Sequence, residues 1–416
     1  MTITCVDDNK NPNWLTVEQA LLQIKTALQP IQGEEQVAIR EGLGRILATD
    51  TVSPINVPAH NSAMMDGYAI HGEDLSNDEI QLKVVGTAFA GKPHLEPVPK
   101  GGCIRIFTGA VLPDELDTVI MQEHVDVQDN TIKINGEQKV GQHIFPIGGD
   151  ITKGHVALKA GKKLLAAEIG LLASLGIAEI RVQRRLKVAF FSTGDELCGI
   201  GSVPQVGQIY DSNRYTLYSM LKQADVEIMD MGVVRDVPED IEKALLLAAE
   251  NSDVVITSGG VSVGDADYVV DILKKIGEMD FWKLAVKPGK PLTFGKINNA
   301  QFFGLPGNPV SAMNTFYHFV LPALRYLQGQ DYTAPFRVKA TCLSDLKKRS
   351  GRLDFQRGIL KANEQGEWVV TSTGQQSSAM LSSMSQANCF IVLPLESGNI
   401  KAGTEVIVEP FETLFV

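Results

Sequence analysis

Residues 257–268 read TSGGVSVGDADY, and two chemistries fit them. Gly260-Val261-Ser262-Val263-Gly264 spells G-x-S-x-G, the pattern that sets a nucleophilic serine on a sharp strand-to-helix turn. The same stretch suits a phosphate cradle. Gly259, Gly260 and Gly264 let backbone N–H groups converge, Ser258 and Ser262 add hydroxyls, and a helix opening near Asp267 would aim its positive end at an anion. Asp265 and Asp267 do not suit a bare anion. A divalent cation bridging carboxylate to phosphate gives them a use, and helix capping is the structural alternative, favoured for Asp265. The nucleophile reading also needs a histidine after the serine, and the only one is His318, inside the apolar helical run NTFYHFVLPAL. A packed or surface histidine is the ordinary reading there, so the cradle asks less of the chain.

The elements that must position these residues alternate in period from 185 to 327. KVAFFSTG, VEIMDMGVV and DVVITSGG read as buried strands, SNRYTLYSMLKQA and PEDIEKALLLAAE as helices between them, which predicts a βαβαβ unit with a parallel sheet. FWKLAV, QFFGLPG and the long helical NPVSAMNTFYHFVLPALRYL complete an open α/β domain. Ligands of such sheets bind beyond the carboxyl ends of the strands. That rule gathers Thr193-Gly194-Asp195-Glu196, Arg235-Asp236, Ser258-Gly259-Gly260, Lys287-Pro288-Gly289-Lys290 and Leu305-Pro306-Gly307-Asn308-Pro309 at one edge. Each loop alone would pass as turn chemistry, and five coinciding weaken that reading. Lys283, Lys287 and Lys290 supply positive charge, and Pro288 and Pro291 stiffen the backbone that carries them.

Around this domain the texture differs. WLTVEQALLQIKTAL (14–28) predicts an opening helix capped by Thr16, and 54–148 breaks into short apolar runs punctuated by Pro and Gly, which suits a small β domain. An apolar helix-like stretch follows at 164–178, and beyond 331 short strands return, as in a β-barrel or sandwich. The 416 residues suggest roughly two to four domains. Forty-nine acidic against 38 basic side chains give a net charge of −11, which disfavours nucleic acid and anionic membranes as partners. An anionic ligand must therefore be held by local lysines. The five cysteines form no C-x-x-C pair and suggest neither zinc nor a disulfide framework. With no export signal or membrane anchor read in the sequence, a cytoplasmic location is expected.

Taken together, SAMMDGYAI, RIFTGA, GGDI, FSTGDEL, GQIYDSN, TSGGVSVGDADY, FWKLAVKPGKP, GLPGNPVSA and GRLDFQRG resemble the molybdopterin molybdenumtransferase family, which includes bacterial MoeA and the E domain of gephyrin. The resemblance runs from about residue 14 to the C-terminus, with the motifs in order. It implies a homodimer of four-domain subunits, in agreement with the segmentation: a helical and linking domain (1–53 and 149–184), a small β domain (54–148), a molybdopterin-binding α/β domain (185–330) and a C-terminal β-barrel (331–416). The reaction implied is the last step of molybdenum cofactor synthesis, in which adenylated molybdopterin receives molybdate and releases AMP with Mg²⁺ or another divalent cation. Further partners expected are the molybdopterin adenylyltransferase and maturation proteins of molybdoenzymes.

By motif, the resemblance assigns catalytic roles to Asp66, Thr108, Asp150, Glu196, Asp236, Asp267, Lys283 and Lys287, with Glu196, Asp236 and Asp267 around the cation. Pro306 and Pro309 join the cradle residues Ser258, Gly259, Gly260 and Ser262 on the substrate, and Arg352 or Arg357 with Ser378 would help to hold molybdate. Asp66 and Thr108 are expected to reach in from the other subunit. The chain departs from the usual motif at His60-Asn61-Ser62-Ala63-Met64-Met65-Asp66, which has one extra methionine and no aspartate before Asn61. A scaffold or peptide-binding protein of the gephyrin E-domain type is the alternative, and the lack of a long linker or fused partner domain counts against it.

Overall fold

The computed structural model describes residues 14–76, 80–259, 268–330 and 333–411. They divide into two compact units, Met1–Glu35 with Gln183–Val416, and Gln36–Val182.

The first unit opens with α1 (Val17–Ala27), where Thr16 and Gln19 form the reciprocal capping box and Val17, Ala20 and Ile24 are buried. At its centre are β1 (Lys187–Thr193), α2 (Ser212–Gln223), β2 (Glu227–Val234), α3 (Pro238–Asn251), β3 (Val254–Ser258) and α4 (Tyr268–Ile276). After them come β4 (Glu278–Lys283), β5 (Pro291–Ile297), β6 (Ala300–Leu305) and α5 (Pro309–Thr315). The sheet order is β2-β1-β3-β6-β5-β4. The first four strands are parallel, as the alternation predicts. β5 alone runs against the others, antiparallel to both β6 and β4, so the sheet is mixed. The reason is local: only Asn298 and Asn299 separate β5 from β6, too short a span for the crossover that a parallel pair requires. β1 is apolar on both faces because helices cover both: Val188 and Phe190 face one core cluster, Ala189 and Phe191 the other.

The long helix expected after Asn308 is interrupted. Residues Phe316–Val320 form a π-turn between α5 and a helix at Leu321–Leu327. Pro322 has no N–H to give the His318 carbonyl, and a wider turn absorbs the lost bond.

The C-terminal strands are β7 (Val338–Cys342), β8 (Leu353–Ala362), β9 (Trp368–Ser372), β10 (Cys389–Leu393) and β11 (Glu405–Pro410). They close into a five-stranded barrel, because the ten-residue β8 pairs with β9 through its second half and with β10 through its first. A two-residue strand, Val286–Lys287, adds to the start of β8 with Lys287 opposite Asp354. This pairing fixes the lysine-bearing segment on the barrel.

The second unit carries a six-stranded mixed sheet. Alternation along it builds a core on each face: Ala69, Ile104 and Ile106 on one, Tyr68, Ile70 and Cys103 on the other. A separate cluster of Leu47, Leu158, Leu164, Leu172, Ile180 and Val182 gathers around the helix Ala166–Ser174. No described helix is long and apolar enough to cross a membrane, and Cys103, Cys198, Cys342 and Cys389 are free thiols.

Candidate functional site

In the first unit β2 and β3 flank β1 on opposite sides, so the chain leaves β1 in both directions and a crevice opens at the carboxyl ends of β1 and β3. Ser192 and Ser258 face each other there in register. A cleft of about 1220 Å³ occupies this edge, lined by the ends of β1, β3 and β6, the start of α2, the 286–291 segment and the 376–379 turn of the barrel. The glycines shape it. Gly194 has φ +148°, and a Cβ there would lie 2.5 Å from the Glu196 carboxylate, which folds back over it. Gly259 has φ +94°, and a Cβ would meet the Thr193 carbonyl at 2.6 Å.

The cleft is rich in buried polar groups that the protein leaves unused. Ser192 and Thr193 hydroxyls, Asp211 Oδ2 and Asn213 Oδ1 have no hydrogen-bond partner among the described residues. Asp211 caps α2 by accepting the Arg214 N–H at 3.0 Å through Oδ1. Asn213 donates from Nδ2 to Ser258 Oγ at 2.7 Å and to the Gly307 carbonyl at 2.8 Å, tying α2 to the ends of β3 and β6. Enclosed polar atoms without partners carry a desolvation cost that a polar ligand removes. Replacing Asn213 by alanine strands two partners at once, and we expect a loss of about 1–3 kcal/mol in urea denaturation.

Glu196 and Asp236 face this cleft. Burial and then the charges of Asp195 and Glu196 push the Asp236 carboxyl above its ordinary range. Among the described residues no three His, Cys, Asp or Glu side chains stand close enough to hold a metal ion. Opposite in charge are Lys287, Lys290 and Arg352. Lys287 Nζ lies 3.4 Å from Asp354 Oδ2, and Lys290 Nζ sits 4.3 Å over the Trp14 ring.

Of the other residues the sequence singled out, Ser258, Gly259, Pro306, Pro309 and Ser378 also line the cleft. Gly260, Ser262, Asp265 and Asp267 lie outside the described residues. Lys283 is exposed at the end of β4 and outside the lining. Arg357 is enclosed in the barrel, donating from Nε to Ser383 Oγ and from Nη2 to the Ser377 carbonyl, so it holds the turn that carries Ser378 and does not itself line the cleft. Asp211, Asn213, Thr193 and Ser311 were not picked out individually. Only Asp211 carries a local signal, in GQIYDSN, where an aspartate immediately precedes a helical run; Asn213, two residues on, reads as an ordinary first-turn residue.

Asp66, Thr108 and Asp150 belong to the second unit. Asp66 Oδ1 accepts both the backbone N–H and the hydroxyl of Thr108 at 2.8 Å, and these bonds, the backbone one first, hold its carboxyl below the usual range. Arg105 stacks between the Tyr68 and Phe107 rings and donates to the Gly67 carbonyl beside them. Despite the altered motif, Asn61 is well placed structurally: its Oδ1 accepts the Ile147 N–H at 2.8 Å. Asp150 Oδ atoms take no part in that network; its backbone N–H bonds the Val57 carbonyl.

His318 does not serve a nucleophile. It is buried, stacked 3.8 Å from the Phe355 ring, and lines no part of the cleft. Its Nδ1 is 3.4 Å from Glu409 Oε1, yet burial, with Arg337 nearby, pushes its pKa down to about 3. We take the imidazole as neutral, since Arg337 already pairs with Glu409. Because the folded value of about 3 lies below the ordinary 6.5, the unfolded chain binds the extra proton; stability is full above pH 6.5 and falls as pH drops toward 3. His318→Phe should flatten that acid limb in denaturation midpoints measured from pH 7 to pH 4.

An open α/β domain with a polar, mixed-charge cleft at its switch point, joined to a closed barrel that contributes Arg352 and the 376–379 turn, defines a protein class that binds a small polar ligand. Comparison gives the family. Residues 15–176 match the MoeA N-terminal region (domain I and II), 189–326 a probable molybdopterin binding domain and 339–411 the MoeA C-terminal region (domain IV). The molybdopterin molybdenumtransferase of Haemophilus influenzae is 46% identical over 402 residues, 96% of this chain and 99% of that protein. Gephyrin of Dictyostelium discoideum is 34% identical over 95% of this chain and 62% of its own length. The crystal structure of the molybdopterin biosynthesis MoeA protein from Pyrococcus horikoshii OT3 superposes with a TM-score of 0.84 at 28% identity, covering 96% of this chain and all of that one. The chain belongs to the MoeA family of molybdenum cofactor biosynthesis, a family of transferases.

Proposed function

We propose that this protein is a molybdopterin molybdenumtransferase that places molybdate on adenylated molybdopterin and releases AMP. The observation that carries the reading is the cleft itself: unpartnered Ser192, Thr193, Asp211 and Asn213 atoms beside Lys287, Lys290 and Arg352, at the edge of the family's molybdopterin-binding domain. Hydroxyl and amide groups match a pterin's donors and acceptors, and the cations match its phosphate, the adenylate and molybdate. Lys287 and Arg352 hold the anions in place, and the enclosed polar floor fixes the substrate's orientation without late reorganisation.

Glu196 and Asp236 fit a hard divalent cation such as Mg²⁺, because the donors are oxygen only and positive charge offsets the burial and then the Asp195 and Glu196 repulsion that raise Asp236. Glu196, Asp236 and Asp267 would hold it, and when bound it would neutralise charge on the phosphoanhydride. One of these carboxylates would also orient the attacking water. Asp66 and Thr108, locked together in the second unit, are assigned to the cleft of a partner subunit in a homodimer.

The test is a single incubation of purified protein with adenylated molybdopterin, Mg²⁺ and molybdate, with AMP and metal-loaded cofactor both quantified. AMP release that rises with molybdate is the expected result; release indifferent to molybdate overturns the reading.

A further inference from the structure

On the barrel, a smaller cavity of about 430 Å³ adjoins the cleft and shares Lys287 and Arg352 with it. Its remaining wall is the turn between β7 and β8, carrying Lys347, Lys348 and Arg349, together with Asn399. Five cationic side chains therefore meet one lining carboxylate, Asp354, in a protein whose net charge is −11. Asp354 is buried and already engaged by Lys287 Nζ and Gln356 Nε2.

The turn is built rather than loose. Lys348 is buried, and its ammonium donates to the Ser397, Leu395 and Arg349 carbonyls at 2.8, 3.3 and 3.4 Å, while its backbone N–H donates to Asn399 Oδ1 at 2.9 Å. Burial is the main reason its pKa is lowered, and Glu396 and Asp354 act in the opposite sense. This clamps the turn and directs its neighbours outward: Lys347 and Arg349 are exposed, and neither they nor Arg352 has an ion pair among the described residues. Like charges held together without counter-charge raise the energy of the empty site and lower that of an anion-bound one.

We propose that this recess is an outer oxyanion site, taking a tetrahedral dianion on Lys347 and Arg349 before Lys287 and Arg352 pass it to the cleft. Its volume is about a third of the cleft's, which suits a small hydrated anion better than a nucleotide-linked pterin. That molybdate is the dianion rests on the transferase reading above.

The experiment uses the full chain carrying Lys347→Gln and Arg349→Gln, whose exposed side chains leave the thermal midpoint unchanged. Equilibrium dialysis with molybdate alone should show one molybdate fewer per chain than the wild type, and the KM for molybdate should rise about tenfold, with the KM for adenylated molybdopterin unmoved. Unchanged stoichiometry overturns the site, and changed stoichiometry with an unchanged molybdate KM overturns its role in supplying the cleft. Dialysis with sulfate and phosphate identifies the anion: if the variant loses only these and keeps molybdate, the assignment to molybdate falls. If the wild type shows no molybdate-dependent AMP release but the variant still loses one bound molybdate, the site stands and the transferase reading fails.

Discussion

Asp236→Asn should lower molybdate-dependent AMP release by roughly 100-fold or more, the scale of losing one charge-placing group in a transition state, while making the protein slightly more stable. The two effects share a cause. Asp236 is partly buried beside Asp195 and Glu196, and burial together with those charges raises its carboxyl pKa. A carboxyl whose folded pKa lies above its unfolded value costs stability when ionised, and the penalty is fully present at neutral pH and fades as pH falls through the folded value. Asparagine keeps the shape and removes the charge, so the thermal midpoint should rise by about 1–3 °C for a domain of this size, solvent screening keeping the gain small. A cation relieves the same repulsion, so Mg²⁺ should raise the wild-type midpoint more than the variant's. Calorimetry with and without Mg²⁺, alongside the AMP assay, checks both halves. A destabilised Asp236→Asn would mean that the carboxylate is a structural acceptor and not a ligand held in reserve.

Much of this site was legible because its signals are local. Val188 to Phe191 form an unbroken apolar run, the mark of a strand covered on both faces, and each loop at its carboxyl edge carries glycine or charge in the sequence itself. Thr16 and Gln19 announce the first helix by their spacing alone. What escaped depends on pairings between distant residues. The C-terminal barrel was expected, but nothing near β8 says which partners its two halves bond to close it. The π-turn at Phe316–Val320 looks helical by period, and only Pro322 betrays it. Asn213 reads as an ordinary helical residue until Ser258 and Gly307, 45 and 94 positions later, arrive at its amide. Arg352 and Arg357 are five residues apart in one motif, yet one faces two cavities and the other is enclosed by Ser377 and Ser383.

The assignment of Asp66 to a partner's cleft makes a prediction that no single variant can. Asp66 and Thr108, 42 residues apart, are bound to each other by two hydrogen bonds, so Asp66→Asn weakens a fixed pair within the second unit. Alone, it and Asp236→Asn should each be nearly inactive. Mixed and reassembled, they behave differently according to whether a cleft is served by its own chain or by its partner. If the partner serves it, a hybrid dimer concentrates both substitutions in one cleft and leaves the other wild type. Half of the dimers in a statistical mixture are hybrids, so roughly a quarter of wild-type activity should return if the proposed homodimer is two-fold symmetric. If each chain serves its own cleft, every cleft in the hybrid carries one substitution and no activity returns. Differently tagged chains, purified in tandem to isolate the hybrid, should then show about half of wild-type AMP release, and recovery near zero would place Asp66 and Thr108 outside the partner's site.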